Sequence, residues 1–97
     1  MVAKVMIDPK IKEGKESDFF KLLKELRAKA IAAPGYISGE TLQAMNDSHH
    51  YVVISTWQGV DEWKNWENNP QRKEITDQIE KLVSKPTEVN ICVHALM

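Results

Sequence analysis

The chain has 97 residues, 42% of them apolar and 28% charged, with 13 Lys and Arg against 14 Asp and Glu for a formal net charge of −1. A chain this short makes one domain, 1–97, and buries only roughly 60–65% of the surface its unfolded form exposes, so a partner subunit would add core. Its lysines are interspersed with glutamates rather than gathered on one face, which argues against a nucleic-acid partner, and no run approaches the ~20 apolar residues of a membrane span.

Val2 to Ile7 reads as a strand with Ala3, Val5 and Ile7 on one face, ended by Asp8-Pro9 because proline cannot donate to a ladder. The N-terminal MVAKVMIDPK lacks the apolar centre of a signal peptide, and a cytoplasmic location is expected. From about Glu16 the period becomes helical. Phe19, Leu22, Leu23, Leu26 and Ala30 recur at three- and four-residue steps, with Ser17 or Asp18 near the start, Lys24, Arg27 and Lys29 toward the end, and Pro34-Gly35 as the stop. Tyr36 to Met45 and His50 to Trp57 read as two strands joined by the turn formers Asn46 to His49. Val60 to Trp66 then makes a short helix, interrupted at Asn69-Pro70, and a second piece carries Ile75, Ile79 and Leu82 on one face. After Pro86, Val89 to Leu96 reads as a last strand in which Ile91, Val93 and Ala95 alternate with Asn90, Cys92 and His94. Cys92 is the only cysteine, so no disulfide can form within the chain, and its apolar neighbours make it a small buried hydrophobe.

The order β-α-β-β-α-β predicts an α+β, ferredoxin-like fold, a four-stranded antiparallel sheet with helices on one face. Val53 and Trp57 on the third strand face one way while Val52 and Ile54 face the other, so both sheet faces need cover. Helices can cover only one, and a two-fold homodimer through the other face is expected.

All three tryptophans fall within Tyr51 to Arg72, YVVISTWQGVDEWKNWENNPQR. Trp63 and Trp66 share a helix face and Trp57 ends the strand feeding that helix, so the indoles are expected to lie together. They serve either as a core anchor or as the wall of a flat pocket for a small apolar or aromatic ligand. Ser55 and Tyr51 share the Trp57 face and can orient a ligand hydroxyl. His94, between Val93 and Ala95, is the imidazole available as a general base if its face is the pocket face; on the other face it would be an interface residue. His49 and His50 at the hairpin point to opposite sides and are read as a solvated turn. No His/Asp/Glu set has metal-ligand spacing, and the four glycines are isolated, so neither a metal nor a phosphate site is expected.

The segment Pro34–Glu40, PGYISGE, together with Trp57 to Trp66, resembles the antibiotic biosynthesis monooxygenase family of dimeric α+β barrels. The resemblance implies a dimer whose two sheets close into a barrel and a ligand held between helices and sheet. In members that oxidise polycyclic phenols with O2 and no cofactor, an asparagine stands four positions before the strand-end tryptophan and an aromatic six after it. Here those positions are Val53, Trp57 and Trp63, so the aromatic pair is kept and the amide is not. The haem-degrading branch would place an asparagine at Ile7, a tryptophan at Trp66 and a histidine at Thr76, and only the tryptophan matches. The resemblance therefore implies a cofactor-independent monooxygenase on a small aromatic or quinol-type substrate, with Trp57, Trp63, Trp66 and Val53 as substrate-binding residues; strand alternation adds Ser55 to that set, and the placing of its imidazole makes His94 the candidate catalytic residue. A non-catalytic or stress-related binding dimer is the alternative, and haem degradation or small-metabolite isomerisation a weaker one.

Overall fold

A computed structural model describes residues 1–95. Seven elements follow one another: β1 (Ala3–Ile7), α1 (Glu16–Ile31), β2 (Tyr36–Ala44), β3 (Asp47–Trp57), α2 (Val60–Glu67), α3 (Pro70–Glu80) and β4 (Val89–Val93). The strands form one antiparallel sheet in the order β2-β3-β1-β4, the ferredoxin-like arrangement. The expected last strand ran to Leu96; β4 ends at Val93, and Leu96 lies outside the described residues.

Register decides what faces the helices. Ala3, Val5 and Ile7 pair with Trp57, Ser55 and Val53 on one side and with Val93, Ile91 and Val89 on the other, and directly paired side chains share a face. Ala3, Val5 and Trp57 are fully buried beneath the helices. The opposite face presents Met6, Ile54, Val52 and Leu42, with Met6 and Leu42 exposed. Cys92 pairs with Lys4 on this second face and is exposed, contrary to the buried position expected of it, because β4 is an edge strand.

Helix α1 opens at Glu16 without a side-chain cap, and Glu16 and Asp18 sit in its first turn, where carboxylates suit the positive end of the helix dipole. Ser17 and Asp18 are thus first-turn residues rather than caps. The helix stops before Gly35, whose φ of 87° is a left-handed conformation that costs glycine nothing. The break at Asn69-Pro70 proves to be a fresh helix start. Asn69 accepts a hydrogen bond from the Gln71 backbone N–H at 2.8 Å, and Pro70 fits the first turn because no N–H is needed there. Leu82 falls beyond the end of α3, while the following Val83 bridges to Ile11.

The β2–β3 hairpin turns tightly at Met45-Asn46, since Ala44 pairs with Asp47, and β3 begins three residues earlier than the sequence suggests. The pairing then jumps from Ala44–Asp47 to Gln43–Tyr51, leaving Ser48 to His50 as extra residues on β3. Asp47 accepts from the His49 backbone N–H at 3.0 Å, and the freed backbone pairs instead with the connector after β1, Ile11 donating to His49 O at 2.8 Å. Each of the two hairpin histidines has an acidic neighbour. His49 Nδ1 bonds Glu16 Oε1, and His50 Nε2 lies 3.7 Å from Asp8, too far for a hydrogen bond.

Two apolar clusters form under the helices. One joins Phe19 and Leu23 of α1 to Tyr51, Ile75, Ile79, Ile11 and Val83; the other joins Val5, Ala30, Trp57, Trp63 and Trp66. Leu26 packs against both.

Candidate functional site

Between these clusters lies a cavity of about 130 Å³, space for about four waters at liquid density. Its floor is the sheet, through Ile7, Gly39, Val53, Ser55, Trp57 and Val89. Its walls come from all three helices, with Leu26, Arg27 and Ala30 from α1, Trp63 and Trp66 from α2, and Arg72, Thr76 and Ile79 from α3.

The indoles form one aromatic group, as their spacing predicts. Trp57 lies 5.8 Å from Trp63 at 63° and 6.3 Å from Trp66 at 24°, while Tyr36 meets the Trp57 ring edge-on at 5.4 Å. Such tilted and offset contacts are those the aromatic quadrupole favours. Trp57 Nε1 donates to Ser55 Oγ at 2.9 Å, which fixes the indole through a residue two positions away on the same strand face. Trp63 Nε1 and Thr87 Oγ1, both on residues of the lining, are buried without a partner among the described residues.

Every expected substrate-binding residue, Trp57, Trp63, Trp66, Val53 and Ser55, lines this cavity. Ile7 and Thr76 line it too. Tyr51 does not; it packs between Phe19 and Phe20 at 5.3 Å from each ring. His94 also stays away. It follows β4, is exposed, and is not among the described lining residues.

Arg27 and Arg72 were not singled out by sequence, and both reach the cavity. Arg27 Nη2 donates to Thr41 Oγ1 on β2 at 2.9 Å. The Arg72 guanidinium sits 5.0 Å from the Trp63 ring centroid, a cation–π contact, and donates to Glu67 O at 3.3 Å. Burial pushes the Arg72 pKa down from its ordinary value and the Glu67 carboxylate pushes it back; arginine remains a cation. A signal was present in the sequence. Arg27 is four residues after Leu23 and three before Ala30, and Arg72 is three before Ile75 and seven before Ile79, so each occupies the buried stripe of its helix.

The walls suit a flat apolar molecule, with hydroxyls and guanidinium groups as polar contacts. A haem fits poorly, because no histidine, cysteine or methionine is among the described lining residues to ligate its iron, and Tyr36, the one tyrosine there, holds its hydroxyl close over Gly39 of β2. Among the described residues no group of three or more His, Cys, Asp or Glu is placed to hold a metal, and no helix is long and apolar enough to cross a membrane.

The fold and this indole-walled cavity are accompanied by a match to the family model for antibiotic biosynthesis monooxygenase over residues 3–78, and the chain belongs to that family. Among solved structures it is similar to a conserved protein from Methanosarcina mazei, with a TM-score of 0.90, 21% identity, and coverage of 95% of this chain and 91% of that one. It is also similar to a point mutant of SnoaB from Streptomyces nogalater, described as a cofactor-independent oxygenase, with a TM-score of 0.88, 14% identity and coverage of 99% and 95%. Rv0793 from Mycobacterium tuberculosis gives 0.88, 14%, 98% and 96%. At these identities the structural likeness shows the fold alone. Protein SchA from Streptomyces halstedii is 23% identical over 79 residues, 81% of this chain, and the chain spans only 20% of that curated relative's length.

Proposed function

We propose that the protein is a cofactor-independent monooxygenase that oxidises a small aromatic or quinol-type substrate with O2. The observation that carries this reading is the cavity walled by Trp57, Trp63 and Trp66 in a chain of the monooxygenase family. An electron-rich ring, such as an anthrone, would lie against the indoles. In the reaction a ring CH2 becomes a carbonyl, the substrate gives up four electrons, one atom of O2 enters the product and the other leaves as water. Such chemistry is helped by a group that deprotonates or orients the phenol form of the substrate, and Val53 can do neither. Within the cavity, Tyr36, Thr76 and Thr87 supply hydroxyls for orientation. His94 serves as base in this reading only if a second protomer brings it to the cavity.

The second protomer is part of the proposal. We infer a homodimer through the outer sheet face, where Met6, Leu42, Val52 and Ile54 form an apolar surface that no helix covers. A cytoplasmic setting goes with the reading. Oxygen uptake on anthrone substrates tests it, with carbonyl product identified by mass spectrometry. Turnover that falls at least tenfold in Trp57→Phe while the melting temperature holds supports the cavity as the reaction site. Unchanged turnover in both Trp57→Phe and His94→Ala would remove both residues from the reaction.

The replacement of the family amide by Val53 favours a second reading, a binding dimer without chemistry. Saturable ligand binding with no oxygen consumption would select it.

A further inference from the structure

Arginine occurs twice in this chain, at positions 27 and 72, against eleven lysines. Both arginines line the cavity and no lysine does. That placement opposes the apolar character of the walls, since a guanidinium turned into an apolar cavity loses hydration that surface exposure would keep. Neither arginine has a carboxylate within ion-pair distance among the described residues, whose ion pairs are Lys10–Asp47, His49–Glu16 and His50–Asp8. Glu80, the one carboxylate among the described lining residues, is exposed and pairs with neither.

Each guanidinium is nonetheless held in place. Thr41 accepts from Arg27, and a methyl group added at Gly39 would lie 3.5 Å from Arg27 Nε and 2.6 Å from the Tyr36 hydroxyl. The missing side chain at Gly39 therefore makes room for the Tyr36 hydroxyl, with Arg27 Nε at ordinary contact distance beside it. Arg72 stacks on Trp63 and spends one N–H on Glu67 O. Each guanidinium has five N–H donors, so most of the ten remain free for a ligand. The buried, unpartnered Trp63 N–H and Thr87 hydroxyl add further polar atoms to the same lining.

We propose that the ligand of this cavity is a planar aromatic carboxylate, its ring against the indoles and its carboxylate paired with Arg27 and Arg72. A carboxylate matches the planar fork of a guanidinium, and two arginines on different helices can share its two oxygens. This inference rests on the cavity being the ligand site, and it narrows the substrate class from aromatic to anionic aromatic. It also assigns the arginines a binding task that lysine, with its compact ammonium, would fill poorly.

The test is calorimetric titration of the purified protein with benzoate and 2-naphthoate, each against its neutral amide of nearly the same shape. Binding of at least one carboxylate about tenfold or more tighter than its amide is expected. That preference should shrink to about twofold or less in Arg27→Met, and Arg27→Lys should recover only part of it. Because Arg72 also packs on Trp63, Arg72→Lys is compared with Arg72→Met, with melting temperatures measured for each. Equal binding of carboxylate and amide to the wild type would overturn the charge assignment and leave the cavity as an aromatic site. Loss of the preference in neither Arg27→Met nor Arg72→Met would overturn the role of these residues. No binding of any of the four probes would overturn the inference together with the ligand-site reading beneath it.

Discussion

The cluster around Phe19 and the cluster around Trp57 lie under the same helices and share Leu26, yet they solve packing differently. The first draws short aliphatic chains and two rings from α1, β3, α3 and two connectors, groups that can shift rotamer and close around one another. The second is built on three indoles, rigid plates whose edges and faces meet at 5.8 and 6.3 Å. Plates leave gaps where branched chains would interdigitate, and the cavity opens at the seam between the two. One cluster holds the domain together; the other trades some packing for a shaped space.

Substitutions in each cluster sharpen or break this division. Trp57→Ala should cost about 3–5 kcal/mol and abolish ligand binding, as read by chemical denaturation and calorimetry. Ile75→Ala, at a residue buried in the first cluster and absent from the cavity wall, should cost about 2–5 kcal/mol and leave ligand affinity of the folded protein within about threefold. If Ile75→Ala weakened binding as much as Trp57→Ala, the clusters would be one unit. Gly35→Ala should cost upward of about 1 kcal/mol, because the left-handed backbone disfavours a side chain and the added methyl meets the Glu62 side chain at the entry to the indole cluster.

The smallest effect belongs to the hairpin end. A hydrogen bond from the His49 backbone N–H and the neighbouring Lys10 hold Asp47 below its ordinary pKa, and backbone hydrogen bonding with help from His49 holds Glu16 below its own. Depressed folded-state values mean stability that is fully present above the ordinary carboxylate range and lost as pH falls through the folded-state values. Melting temperature should therefore fall less steeply below about pH 4 in Asp47→Asn than in the wild type. Both carboxylates are solvent-screened, so a large difference between the two curves would contradict the structure.

Much of the fold could be read from local pattern. Alternation in Ala3-Val5-Ile7 and the step pattern from Phe19 to Ala30 set the strand and the helix, and proline and glycine marked the boundaries. The hairpin boundaries could not be read, because Ser48 to His50 leave β2 to pair with the distant segment near Lys10, a contact no local signal encodes. Cys92 looked buried because alternation says which residues share a face and says nothing of whether an edge strand is covered. The indole cluster was legible because three aromatics were close in sequence. A charged residue near a helix end is ordinarily solvated, so only their phase against Leu23, Ala30 and Ile75 sets Arg27 and Arg72 apart.

The close approach of Trp57 to its two neighbours has an optical consequence. Indoles separated by 5.8 and 6.3 Å couple their electronic transitions, and a chiral arrangement with one ring tilted at 63° turns that coupling into a paired positive and negative band in far-ultraviolet circular dichroism. The amplitude of this couplet depends on mutual ring angle and steeply on distance, so the protein carries a label-free gauge of its own cavity shape.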